Sequence, residues 1–199
     1  MAISRLYKTT LLAVFSLILA VSMQANAQSA SPKTVVETTV NAILDILRND
    51  ALGHEEARDQ MRSEISKAFD PRTMAQSVLS TNWRQASEQQ QDELQALFMQ
   101  TLENTYMGRL EAYTNETVEY RGESIDNNRA EVQTVIITSS NEIPINYKLR
   151  LRNNGWFVYD VEVENVSMVS SYRETYRSVV RRDGMDGLLA QMREKADAR

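Results

Sequence analysis

Near Thr114 the apolar residues stop recurring at the helical spacing of ~3.6 and begin to alternate at ~2. This switch divides the chain into a helical half, a strand-rich stretch and a helical tail, the pattern of an α+β domain. Upstream, Ser87 and Gln90 form a capping box. From there Leu94, Phe98, Leu102, Tyr106 (or Thr105), Leu110 and Tyr113 make one apolar stripe. The helix they predict is about 27 residues, or ~40 Å, enough to cross a domain. Downstream, strands are expected over 117–122, 130–138, 143–152 and 156–163. The third is the clearest. Ile143, Ile145, Tyr147, Leu149 and Leu151 alternate with Pro144, Asn146, Lys148, Arg150 and Arg152, as in a sheet with one wet face. Turn signals at Asp126-Asn127-Asn128, over 139–142 and at Asn153-Asn154-Gly155 separate the strands.

Five further helices are expected. Ser31-Pro32 starts the first, which carries Val36, Val40, Ile43, Leu44 and Leu47 and runs to about Arg48. Asn49-Asp50 and Gly53 interrupt it, and a more polar helix over 55–68 points Met61 and Ile65 inward. Asp70-Pro71 starts a short third helix bearing Met74, Val78 and Leu79, ending before Trp83. After the strands, Asn165 or Ser167 opens a helix with Val169, Tyr172, Tyr176, Val179 and Val180 on one side. Arg173, Arg177 and Arg181 recur on another side. Asp183-Gly184 breaks it before a last helix with Leu188, Leu189 and Met192. The expected fold is a four-stranded antiparallel meander. The long helix before it and the helices after it would cover one face. A long apolar helix stripe opposite a face of Ile145, Tyr147 and Leu149 can enclose a cavity or a solid core, and the residues alone leave both open.

The first 27 residues stand apart. Arg5 and Lys8 precede an apolar run over 11–21, and Ala25-Asn26-Ala27 supplies a small-residue cleavage site, the layout of a secretory signal peptide. The run falls short of the ~20 residues of a membrane-spanning helix. With no Cys at the junction, lipoprotein processing is excluded. The expected division is a signal peptide over 1–27 and a single domain over 28–199. Cleavage takes the net charge from −5 to −7. An exported, acidic, cysteine-free chain fits the bacterial periplasm.

Chemistry-bearing motifs are scarce. Zero Cys excludes thiol chemistry and Cys-ligated zinc, and one His excludes a His-rich metal site. There is no GxSxG elbow, Walker loop or GxGxxG. His54 lies in a polar break between helices and is expected to be solvated. Carboxylates such as Asp160 and Glu162 are too common in this acidic chain to mark an acid–base pair. No catalytic residue, cofactor or metal is expected. The acidic charge argues against nucleic-acid binding. Two cationic surfaces remain, a strand face of Lys148, Arg150 and Arg152 and a helix stripe of Arg173, Arg177 and Arg181. Either is a solvated face or a docking surface.

Residues 31–195 resemble the MlaC family of periplasmic phospholipid-binding proteins, also known as toluene-tolerance auxiliary proteins. Phe69-Asp70 with Met74 ahead of Trp83-Arg84 is similar to its FD…M…W-R segment, and Gln90, Phe98, Leu102 and Tyr106 to its Q…F…L…Y helix. The strongest segment is Gly155-Trp156-Phe157-Val158-Tyr159-Asp160-Val161, followed by Val163-Glu164-Asn165-Val166-Ser167-Met168-Val169. Tyr172-Arg173 and Gly184-Met185-Asp186-Gly187-Leu188-Leu189 continue the likeness. Asn165 stands where the family usually has Gly, and Leu79-Ser80-Thr81-Asn82 replaces its usual Leu-Gly before Trp83.

The resemblance implies an NTF2-like/cystatin-like curved sheet packed on helices around an apolar lipid cavity. It implies a monomeric carrier, the substrate-binding component of an ABC transporter system. Such a carrier shuttles phospholipid between an outer-membrane lipoprotein–porin complex and an inner-membrane ABC transporter complex to maintain outer-membrane lipid asymmetry. The expected acyl-chain wall is Phe98, Leu102 and Tyr106 on the long helix, Ile145, Tyr147 and Leu149 on the sheet, and Val166, Met168 and Val169 at the signature segment. Arg150, Arg152, Arg173 and Arg177 are the expected partner-docking residues. A periplasmic adaptor with a solid core and an enzyme on a similar fold are the alternatives.

Overall fold

A computed structural model of the chain describes residues 30–112 and 116–197. The expected signal peptide, Tyr113 and Thr114 lie outside the described residues. The helices begin where their caps predict. α1, Pro32–Leu47, starts at Ser31, whose hydroxyl accepts the Thr34 amide, with Pro at the first position. α2, His54–Ala68, follows Gly53 and carries Glu55 and Glu56 in its first turn, complementing the helix dipole. α3, Pro71–Leu79, is capped by the Asp70 carboxylate and runs into a 3₁₀ turn, Ser80–Arg84, which buries Trp83. α4, Glu88–Glu111, has the full Ser87/Gln90 capping box. Its 24 described residues span ~36 Å.

The sheet is an antiparallel meander in sequence order, but among the described residues it has five strands, not the four expected. They are β1, Thr117–Asp126; β2, Arg129–Ile137; β3, Glu142–Arg152; β4, Gly155–Val163; and β5, Val166–Ser167. Glu164 and Asn165 both take positive φ, 50° and 64°, and fold the chain back so that Val163 pairs with Val166. No apolar alternation announces a strand of two residues, which is why periodicity missed it. Asn tolerates the left-handed region better than most residues, so Asn165 supports this turn without Gly. Asn153 and Asn154, at φ 47° and 63°, make the β3–β4 hairpin. Beside β5, Phe69 forms a parallel bridge with Val158, and the Asp70 amide donates to the Val158 carbonyl at 2.8 Å. The outer edge of β4 is thus covered rather than left open.

The tail is one helical run, α5, Met168–Asp197, bent at Gly184, whose φ of 73° and ψ of −177° are not helical. The expected break is there, but the helix resumes at once.

The long helix does not cover the sheet. α4 packs on α3 and α5, and α1 is the helix laid across β2 and β4. The stripe on α4 therefore buries Leu94, Leu97, Phe98 and Leu102 in a helical cluster with Met74, Val78, Trp83, Val179 and Leu188. The inner sheet face buries Val132, Leu149, Trp156, Val158 and Val161 in a second cluster with Val36 of α1. α3 meets the sheet along β4, and α5 meets it along β4 and β5. An apolar stripe records which face of an element is buried but not its partner, and here the short third helix and the tail claim α4 first.

Candidate functional site

The expected wall residues other than Val166 divide between the two apolar clusters. Phe98 and Leu102 are buried in the helical cluster, with Tyr106 packed at its side. Leu149 is buried in the sheet cluster, with Ile145 and Tyr147 partly covered beside it. Val169 belongs to the helical cluster, and Met168 touches both. Val166 is 60% exposed on β5. A second residue, Phe69, also reaches both clusters. Phe69 and Met168 mark the seam between the two clusters.

Two buried carboxylates hold this seam. Asp70, 7% exposed, accepts the Thr73 amide at 3.0 Å, the Thr73 hydroxyl at 2.6 Å and an Arg152 guanidinium N–H at 2.7 Å. Burial pushes its pKa up, but the hydrogen bonds from Thr73 and Arg152 outweigh that and hold it below the usual range. Asp160 accepts the Ser167 hydroxyl at 2.6 Å and the Val169 amide at 3.1 Å, fixing the start of α5 on β4. It is a structural anchor, which removes it from any acid–base pair with Glu162; Glu162 is ion-paired with Lys148.

Aromatic hydroxyls line both halves. In the helical half Tyr172 meets the Phe98 ring edge-on at 5.3 Å, and its hydroxyl lies 3.3 Å from that of Thr105. Burial raises the pKa of Tyr106, while Arg109, 5.5 Å over its ring, opposes the rise. In the sheet half burial pushes Tyr147 up to about 12, the nearby Tyr120 adding to the shift and a hydrogen bond to Thr134 offsetting part of it. Burial likewise pushes Tyr120 up to about 12, with Glu37 of α1 contributing. With their pKa values raised, the phenols of Tyr106, Tyr120 and Tyr147 stay protonated at physiological pH.

The cationic residues are not equivalent. Arg152 is committed to Asp70, and Arg173 donates to the Ser77 carbonyl at 2.7 Å, tying α5 to α3. Arg177 pairs with Glu174 at 2.9 Å on the surface. Arg150 sits directly opposite Arg129 across β2 and β3, a like-charge pair, and Asp126 of β1 faces Arg129 on its other side. His54, 64% exposed, places its Nε2 3.2 Å from Glu111, which also binds Arg58. Among the described residues no group of three His, Asp or Glu side chains converges to hold a metal ion.

Sequence reasoning missed Phe69, Asp70 and Tyr120 as parts of this interior. Phe69-Asp70 was legible as a motif and as a cap, but not as the bridge to β4. Tyr120 sits on a strand whose weak alternation said little about its face.

A meander roofed on one face by α1 and flanked along β4 by a separate helical layer defines a class of α+β protein whose apolar interior is split in two. The family model described as MlaC protein matches residues 37–194. The chain belongs to the MlaC family. It is similar to the intermembrane phospholipid transport system binding protein MlaC of Haemophilus influenzae, at 26% identity over 125 residues. That alignment takes in 60% of this chain and 58% of the relative, so the chain spans less than two thirds of the curated protein it matches. A phospholipid-binding protein from Ralstonia solanacearum, solved in complex with a phospholipid, shares the fold with a TM-score of 0.77 at 24% identity. The likeness covers 84% of this chain and 97% of that one.

Proposed function

We propose that this chain is a periplasmic phospholipid carrier. It receives lipid from one membrane complex and delivers it to another, between an outer-membrane lipoprotein–porin complex and an inner-membrane ABC transporter. The observation that carries this reading is the divided interior: two apolar clusters that share Phe69 and Met168. Membership of the MlaC family, and a fold shared with a protein solved with phospholipid, support it. Parting the clusters gives acyl chains a sheet wall of Ile145, Tyr147 and Leu149 and a helical wall of Phe98, Leu102 and Tyr106. Met168 and Val169 lie at the seam, with Val166 at its exposed end.

The energetics explain why a carrier is needed. A two-chain phospholipid has about 28 methylenes, each worth ~0.8 kcal/mol out of water. Free lipid therefore does not cross an aqueous space at a useful rate. Relative to a bilayer the gain is near zero, because both surroundings are apolar. Direction must come from the partners that load and unload the carrier. No residue in this reading is catalytic, and no cofactor takes part.

The test is to purify the full chain from the periplasm, extract it and identify lipid by mass spectrometry. A carrier comes with about one phospholipid per chain and takes up lipid from vesicles when stripped. A folded chain that neither holds nor takes up phospholipid refutes the reading in favour of an adaptor, and turnover of the lipid refutes it in favour of an enzyme.

A further inference from the structure

The Tyr120 hydroxyl is fully buried and has no hydrogen-bond partner among the described residues. It stands on the inner face of β1, where Tyr120 pairs with Thr134 of β2, just before the β1 bulge. The neighbouring Thr134 hydroxyl is engaged: 1% exposed, it donates to the Ile145 carbonyl at 3.0 Å. α1 lies over this place. Its Lys33 amide is held by the Glu123 carboxylate at 2.7 Å, one bulge further along β1, and Glu37 approaches Tyr120 while pairing with Lys33 at 3.5 Å. A buried donor left without an acceptor is costly, and proteins rarely tolerate one.

Resting on the carrier reading above, we propose that the Tyr120 hydroxyl donates a hydrogen bond to an acyl-ester carbonyl of the bound phospholipid. This would fix the depth at which the chains end and the headgroup begins. A phospholipid offers two kinds of acceptor, ester carbonyl and phosphate. Two features of this place select the carbonyl. The hydroxyl lies inside an apolar layer, where a neutral acceptor is far cheaper to bury than a charged phosphate. The charge of Glu37 acts on this hydroxyl, and although Lys33 pairs with it at 3.5 Å, it opposes a full anion more than the partial charge of a carbonyl. The inner sheet face beyond, Tyr147, Ile145 and Leu149, then takes the chains.

The experiment compares dioleoyl phosphatidylglycerol with its dialkyl ether analogue, which keeps the phosphate and chains but lacks both carbonyls. Stripped wild-type protein and Tyr120→Phe are each equilibrated with vesicles of one lipid, and bound lipid is quantified alongside the melting temperature of the lipid-free protein. One hydrogen bond predicts that wild type holds the diester roughly 3- to 10-fold better than the diether. Tyr120→Phe should lose that preference by weakening the diester alone, with its lipid-free melting temperature unchanged or raised. Equal weakening toward both lipids would assign the hydroxyl to the phosphate and overturn the proposal. So would a wild type that does not distinguish the lipids, or a lipid-free Tyr120→Phe that melts several degrees lower, since the hydroxyl would then have a partner within the protein. Wild type that takes up neither lipid overturns the carrier reading itself, and this inference with it.

Discussion

Replacing Asp70 by Ala removes three hydrogen bonds at once, and their separate sizes follow from the geometry. Loss of the α3 cap at the Thr73 amide costs about 1 kcal/mol. The Thr73 hydroxyl, donating at 2.6 Å from a largely buried position, loses its acceptor for ~1–2 kcal/mol. Arg152 is nearly half exposed, so its ion pair adds at most ~1 kcal/mol. The sum is about 2–4 kcal/mol, or roughly 5–15 °C in Tm for a domain of this size. Asp70→Asn, which keeps a capping oxygen, should cost about half as much, and Arg152→Met under ~1 kcal/mol. The assay is urea and thermal unfolding followed by circular dichroism, repeated across pH. Because the folded Asp70 pKa is depressed, its stabilisation is complete above the ordinary carboxylate range near ~4 and is lost as pH falls through the lower folded value. The gap between wild type and Asp70→Ala should therefore close below about pH 4. A gap under ~0.5 kcal/mol at neutral pH, or one that widens in acid, would refute this account of the seam.

Val166→Glu should leave the fold intact, since the side chain is 60% exposed, yet exclude lipid by placing a carboxylate at the end of the seam; normal phospholipid content by mass spectrometry would remove Val166 from the site. His54→Ala should not change lipid uptake from vesicles, because the ring is 64% exposed, and a large loss in a folded variant would overturn the non-catalytic reading. Arg150→Glu with Arg177→Glu, which spare the structural pairs of Arg152 and Arg173, should weaken docking to the membrane complexes and flatten its salt dependence while bound lipid is retained. Unchanged binding over a salt series would leave these arginines as solvated surface.

Local signals were legible because each depends on residues close together in the chain. The cap-plus-Pro starts at Ser31 and Asp70, the Ser87/Gln90 box, the Asn-rich hairpins and the break at Gly184 all appear where the residues place them. So does the alternation of β3, since burial of one sheet face imposes a period of ~2. The motif order of residues 31–195 pointed to the family, because many weak matches in a fixed order constrain more than one strong motif. Partner choice between elements was not legible. Hydrophobicity is non-directional, so the stripe Leu94, Phe98, Leu102 specified burial without specifying against what. Only the tertiary structure decided that α3 and α5 cover that stripe while α1 takes the sheet. That choice splits the interior at Phe69 and Met168, engages Arg152 with Asp70, and leaves the Tyr120 hydroxyl buried without a partner among the described residues. Each of these is a contact between residues far apart in sequence, and no local pattern encodes such a contact.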